Sequence, residues 1–346
     1  MIDIVKPEFI VGSEKRFFDF ISKINGQDKI ALISHTDLDG VVAAKMANKI
    51  LNVDIVKLLD YEQINKDLVE ELKKLGVKKT IFTDLGLKSD AIKEISKFSD
   101  ILIIDHHKII EDFNSDKIVF LNSQGFSAGY LCYYLFSKIQ NLEEYDWLAV
   151  CCSISDFMYF NNQSWMNEVF LKYSDKFEII NGQIRKSEKF WDLQAKLSLA
   201  LSYFKGNAKR VYDSIGIEFG NIGDLEKYAL IIEKEIEKII SLFEKEKEEF
   251  KSGWFWEVHS DSLIKDILVN IISSKFPEKI FIFAQLSDGK YQISARRQDK
   301  KVDLPNLLGK LIFGFKDATS GGHVAAAGAR LMEKDLPEFK ERLKKL

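Results

Sequence analysis

KIALISHTDLDG, residues 29–40, passes from a run with no polar face directly into His35, Asp37 and Asp39 and closes on Gly40. A short apolar run of this kind predicts a strand covered on both sides, and three ligand-type side chains at alternate positions just beyond it predict a functional strand-to-helix turn. Working outward, VDIVKLL (53–59), KTIFTD (79–84), DILIID (100–105) and KIVFL (117–121) read the same way. Between them, 40–52, 64–76 and 88–97 repeat apolar residues at spacings of three and four, the period of amphipathic helices. Strand, helix, strand at this rhythm predicts right-handed crossovers and a parallel sheet with helices on both faces. Ligands of such sheets gather at the carboxyl ends of the strands.

From about 126 to 252 the pattern turns helical, and Asp224–Phe250 reads as one long helix with Leu225, Tyr228, Ile232, Ile236, Ile239 and Phe243 on one face, closed by Gly253. A second α/β unit follows. It comprises strand 254–259, helix 262–275, strands 279–286 and 291–297 joined through Asp288-Gly289, helix 304–313 and a terminal helix after Pro337. The expected fold is therefore α/β: a catalytic domain over 1–160, a helical extension and connector over 161–252, and a smaller domain over 253–346, with the catalytic cleft between the two α/β domains.

With 346 residues, 46 % of them hydrophobic and 30 % charged, the chain suits about two packed domains rather than disorder or a coiled-coil rod. The 50 basic and 53 acidic side chains argue against wrapping duplex DNA by charge alone. The charge is segregated, however. Residues 253–346 hold 16 Lys and Arg against 12 Asp and Glu, and residues 1–252 hold 34 against 41, a polarity that fits an anionic substrate. Cys132, Cys151 and Cys152 suggest a reducing compartment without disulfides. The N-terminal residues carry no signal pattern and no apolar run is long enough for a bilayer, so a cytoplasmic protein without membrane contact is expected.

The polar residues at the strand ends carry the chemistry. Asp84 ends the third run, Asp105-His106-His107 the fourth, and Asp156 follows the apolar stretch 147–155. Singly, Asp37, Asp84 and Asp156 also read as caps or hydrogen-bonded acids near helix ends. Collectively, so many carboxylates on one rim would repel one another, and divalent cations remove that conflict. Carboxylates with a few imidazoles suit Mn²⁺ or Mg²⁺ rather than structural Zn²⁺, and the ligand count suits two ions sharing a carboxylate and activating a water for attack at phosphorus.

The set HxDxDG at 35–40, Asp84, DHH at 105–107 and Asp156 resembles the four motifs of the DHH phosphoesterase superfamily, and SGGHVAAAG at 320–328 resembles the GGGHxxAAG element of its associated C-terminal domain. The resemblance implies that His35, Asp37 and Asp84 hold one ion, and that Asp39, Asp84, His106 and Asp156 hold the other. It further implies that Asp105 orients the histidines and that His107 acts at the substrate phosphate. Ser320, Gly321, Gly322 and His323 would bind phosphate as a glycine-rich loop. Arg296 and Arg297 resemble the family's arginine-bearing strand, Arg296 fitting the spacing better. Ser320 replaces the first glycine of the triplet, and HxDxDG is closer to RecJ-like enzymes than to many nanoRNases. His259 falls outside every motif.

The implied activity is a Mn²⁺-dependent exonuclease or phosphodiesterase that hydrolyses short single-stranded RNA or DNA to nucleoside 5′-monophosphates. Cyclic- or linear-dinucleotide hydrolysis and phosphoadenosine phosphate hydrolysis are the related alternatives. A non-catalytic nucleic-acid-binding replication or repair scaffold is the alternative of another class, and a homodimer is compatible with the resemblance.

Overall fold

The computed structural model describes residues 2–86, 89–180, 183–185, 189–204 and 207–345. These residues form two compact units, Met1–Leu230 and Ile231–Leu346.

In the first unit α1 (Glu14–Ser22) precedes a five-stranded sheet of β1 (Ile30–Ser34), β2 (Ile55–Leu58), β3 (Lys79–Thr83), β4 (Asp100–Asp105) and β5 (Ile118–Asn122). The helices α2 (Leu38–Leu51), α3 (Lys66–Lys74) and α4 (Ser89–Ile95) alternate with the first four strands. Sheet order is β2-β1-β3-β4-β5 with every pairing parallel, as the apolar runs predict. Alternation decides which face each residue serves. Leu32, Ile81, Leu102, Ile104 and Leu121 enter the larger core with α1 and α2, while Ile33, Phe82, Ile101, Ile103 and Phe120 enter a second core with Leu68, Leu72, Ile92 and Ile95. β1, β3 and the edge strand β5 are buried throughout and β4 in all but its first residue, whereas the other edge strand, β2, is half-buried.

The chain leaves β1 toward β2 on one side and returns past it to β3 on the other. This reversal of strand order opens a crevice at the carboxyl ends of β1 and β3. Downstream, α5 (Ala128–Ser137), α6 (Asp146–Ser155), α7 (Gln163–Lys172), α8 (Phe190–Tyr203) and α9 (Ala208–Ser214) extend the larger core. The two-residue strands β6 (Ile179–Ile180) and β7 (Gln183–Ile184) interrupt this helical stretch with an antiparallel pair.

The expected helix over Asp224–Phe250 is not continuous. It comprises α10 (Leu225–Ile240), the single turn α11 (Phe243–Glu246) and strand β8 (Glu248–Phe250). Helical spacing places Leu225, Ile232, Ile236, Ile239 and Phe243 inside, but beyond Phe243 the backbone gains more by pairing with β9 (Gly253–Glu257). Gly253 thus begins a strand rather than closing a helix.

The second unit adds α12 (Lys265–Ser273), β10 (Ile280–Ser287), β11 (Lys290–Arg296), α13 (Leu304–Leu311), β12 (Thr319–His323), β13 (Ala326–Met332) and α14 (Leu336–Lys344). Its sheet order is β12-β13-β11-β10-β9-β8, antiparallel except for β9 with β10. Ile282, Ile293, Ala295 and Leu331 meet Leu304, Leu308 and Phe339 on one face. No helix among the described residues is long and apolar enough to cross a membrane.

Candidate metal centre

The polar residues expected at the rim of the first sheet are held there by the ends of β1, β3 and β4, by the start of α2 and by the end of α6. After β1 the chain turns into α2 with Asp37 as N-cap, accepting from the Gly40 N–H at 3.0 Å. A Cβ at Gly40 would lie 2.4 Å from the His35 carbonyl oxygen, so only glycine permits a turn this tight. Beneath it, Ser34 Oγ donates to the Gly40 carbonyl at 2.7 Å and accepts from Thr83 Oγ1 at 2.7 Å, locking the ends of β1 and β3 together. The cap expected for Asp37 and its place among ligand-type groups therefore coexist.

Three groups of side chains each bring one ligand atom per residue within 4.8 Å of the others: His35, Asp37 and Asp84; Asp39, His106 and Asp156; and Asp84, Asp105, His106 and His107. Asp84 lies between them, with Oδ2 3.8 Å from His35 Nδ1 and Oδ1 3.2 Å from His106 Nε2. It leaves β3 with φ of +58°, an uncommon conformation for a non-glycine residue. Asp156, the C-cap of α6, sits 3.5 Å from His106 Nε2.

Two carboxylates 4.8 Å apart repel by roughly 3 to 4 kcal/mol at an effective dielectric constant of about 20, a large fraction of a domain's net stability. The groups respond accordingly. Burial and the Asp37 charge push Asp39 up to about 7, although the Ala128 and Gly129 N–H groups at the start of α5 each donate to it at 2.7 Å. Burial and the surrounding aspartates drive Asp84 and Asp156 well above the carboxylate range. Burial would also raise Asp37, but contact with His35 at 2.8 Å holds it well below that range. Asp84 Oδ2 is buried and accepts no hydrogen bond from any described donor. A buried carboxylate oxygen without a donor, among carboxylates that cannot all ionise, is the donor set a divalent cation completes, so the residues fit a metal.

Asp105 is set apart from this competition. Its Oδ1 accepts from the His106 and His107 backbone N–H groups at 2.7 and 3.2 Å and contacts His107 Nδ1 at 2.8 Å. Those bonds overcome burial and keep it a carboxylate, while His107 is raised despite its own burial. Asn122 on β5 donates to the His107 carbonyl at 2.9 Å, fixing the segment behind the ring.

Sequence reasoning missed two residues here. Asp60, just past β2, places Oδ1 3.8 Å from His35 Nε2 and accepts from Thr36 Oγ1 at 2.8 Å. Tyr61 follows, its ring 4.7 Å from that of His35 and its hydroxyl 3.2 Å from His107 Nε2. Burial and the nearby aspartates keep its phenol protonated throughout the ordinary pH range. The rule that selected Asp84 and Asp105, polar residues at the carboxyl end of an apolar run, selects Asp60 as well.

The expected substrate contacts belong to the second unit. Ser320, Gly321 and Gly322 form no loop: they lie in β12, paired with β13 through Ser320 with Ala329, Gly321 with Gly328 and Gly322 with Ala327. As an edge strand β12 keeps one row of backbone groups outside the ladder, so N–H donors remain available in another form. His323 ends that strand, its side chain lying outside what is described. Arg296 donates to Asn270 Oδ1 at 2.7 Å and to the Ala295 carbonyl at 2.9 Å. Arg297 is bound to Asp299 through Nε at 2.7 Å and Nη2 at 3.0 Å. His259 is exposed.

A parallel sheet whose switch-point rim gathers aspartates and histidines, joined to a second sheet domain, is the setting of a divalent-cation site. The DHH family, N-terminal domain, matches residues 29–159, and the DHHA1 domain matches residues 256–346. The chain belongs to the DHH phosphoesterase superfamily and carries its associated C-terminal domain. Among solved structures, exonuclease RecJ bound to manganese is 15% identical, with TM-score 0.65 over 100% of this chain and 95% of that one. CDC45 from Entamoeba histolytica is 11% identical, with TM-score 0.62 over 96% and 98%. A pGpG-specific phosphodiesterase from Vibrio cholerae is 14% identical, with TM-score 0.50 over 92% and 98%. No curated protein matches the chain.

Proposed function

We propose that this phosphoesterase hydrolyses the phosphodiester bonds of short single-stranded oligonucleotides, releasing nucleoside 5′-monophosphates, with two Mn²⁺ ions per chain. The observation that carries the reading is Asp84, placed between the His35–Asp37 group and the Asp39–His106–Asp156 group with one oxygen toward each. His35, Asp37 and Asp84 would hold one ion and Asp39, Asp84, His106 and Asp156 the other, Asp84 bridging. When bound, such ions supply a hydroxide nucleophile at neutral pH and neutralise charge on the phosphoryl oxygens. Asp105 keeps His107 in one orientation, and His107 donates to a non-bridging oxygen of the substrate. Arg296, Ser320, Gly321, Gly322 and His323 would bind a neighbouring phosphate. Arg297 is the weaker candidate, since Asp299 already occupies its guanidinium edge.

Mn²⁺ and linear dinucleotides head the test because solved neighbours of this fold include a manganese-bound exonuclease and a pGpG-specific phosphodiesterase. The full set of ligand-type residues weighs against a purely scaffolding role of the kind considered for the sequence. The test is a product profile with Mn²⁺ on dinucleotides, longer single strands, cyclic dinucleotides, phosphoadenosine phosphate and pyrophosphate, with Asp84→Ala as control. Nucleoside 5′-monophosphates from the short linear substrates are expected. Hydrolysis confined to pyrophosphate, or equal hydrolysis by Asp84→Ala, would overturn the reading.

A further inference from the structure

Tyr61 reaches the rim from just past the edge strand β2, whose end supplies none of the expected ligands. Its position is built rather than incidental. Asp60 accepts from Thr36 Oγ1 at 2.8 Å, and its own N–H donates to Gln63 Oε1 at 2.8 Å, so the turn carrying Tyr61 is tied both to itself and to the segment after β1. From there the ring lies against His35 at 4.7 Å and meets His107 edge-on at 6.1 Å. Its hydroxyl stands 3.2 Å from His107 Nε2, while Asp105 Oδ1 stands 2.8 Å from Nδ1 of the same ring. Both nitrogens of His107 are thus engaged, one by a carboxylate and one by a phenol.

We propose that Tyr61 is a positioning residue: opposite Asp105, its hydroxyl holds the His107 ring in the free site in the orientation needed at the substrate phosphate, and a non-bridging oxygen takes its place at Nε2 when substrate binds. A hydroxyl suits this place because it donates to a bare imidazole nitrogen and accepts from a protonated one. A carboxylate on each side would bind the protonated ring only. The aromatic body also shields the His35 edge of the rim, which a serine or threonine could not do. This role rests on the phosphodiesterase reading for its catalytic consequence, but the clamp itself does not.

The test combines Tyr61→Phe, which keeps the ring and removes the hydroxyl, with His107→Asn in a double-mutant cycle. Loss of a residue that orients a catalytic group should lower kcat about tenfold with KM within about twofold. In the His107→Asn background the same change should have no further effect, and thermal midpoints of the Tyr61 pair should agree. Independently of activity, long-range proton–nitrogen spectra of the histidine rings should show the His107 Nε2 signal shifted in Tyr61→Phe, with that of the exposed His259 unchanged. Equal losses in both backgrounds, or unmoved His107 signals, would overturn the clamp. A wild-type protein inactive toward every phosphodiester but showing the shifted signals would sink the functional reading and leave the clamp standing.

Discussion

The two sheets carry polar residues in opposite conditions. On the rim of the first, acids crowd together and their protonation states are pushed apart: Asp84 and Asp156 upward, Asp37 and Asp105 downward. In the second, Arg296 and Arg297 have already found neutral or acidic partners, and the glycines sit within a ladder. Unresolved repulsion marks a donor set that a divalent cation completes, whereas satisfied pairs mark places that gain less from a ligand.

That contrast is most sharply broken at Asp84. Asp84→Asn keeps the shape and removes the charge, so metal-dependent turnover should fall on the order of 10³-fold or more. Because it relieves repulsion, the same change should raise the thermal midpoint of chelated protein. A lowered midpoint would mean that Asp84 serves packing instead.

Gly129→Ala attacks the support behind Asp39. A Cβ there would stand 2.5 Å from Cys152 Sγ and 3.0 Å from Asp39 Oδ1. A loss of about 1–3 kcal/mol in denaturant unfolding is expected. Cleavage activity should fall as well, since the Gly129 N–H fixes one of the Asp39 oxygens.

Removal of metal exposes the repulsion to pH. Asp39 titrates near 7 in the folded chain against an ordinary 3.8. Between those values the folded state holds a proton that the unfolded state has released, so this contribution to stability falls as pH rises from about 4 through about 7. His35, raised by Asp37 against its burial, acts with the same sign: its contribution is full below its ordinary value and lost as pH rises through the folded one. Chelated protein should therefore melt at a lower temperature at pH 7.5 than at pH 5, and Mn²⁺ should abolish most of that difference. Parallel melting curves with and without chelator would contradict the electrostatic account.

The smallest effects sharpen the second-sheet side. Arg296→Ala should raise KM for a dinucleotide about tenfold, the worth of one charge-assisted bond, whereas Arg297→Ala should stay within about twofold because it breaks a pair with Asp299 that is accessible to water. The reverse order would show that the Arg297 pair opens to take the phosphate.

How much was legible in the sequence follows from how each residue is held. Ile30–Ser34 and its counterparts are strands because nothing polar interrupts them, and His35, Asp84 and His106 meet because parallel strands end on one rim. That much is visible in a string of letters. The break after Ile240 is not, because Phe243 continues the helical spacing while the strand beyond it depends on a partner, β9, that no local pattern reveals. The pairing of Ser320–Gly322 with Ala327–Ala329 was hidden for the same reason. Backbone donors such as Ala128 and Gly129 on Asp39 leave no mark in residue type, and Arg297 gave no sign that Asp299, two residues on, would occupy it. Asp60 and Tyr61 were within reach, since they follow an apolar run as Asp84 and Asp105 do.

The central claim is that the rim of the first sheet is a metal centre organised around Asp84. Calorimetric titration of chelated protein with Mn²⁺, wild type beside Asp84→Asn, tests it most directly. The account predicts saturable binding of two ions to the wild type, a raised thermal midpoint, and loss of both responses in a variant that remains folded. Equal binding by the two proteins, or no binding by a folded wild type, would contradict it.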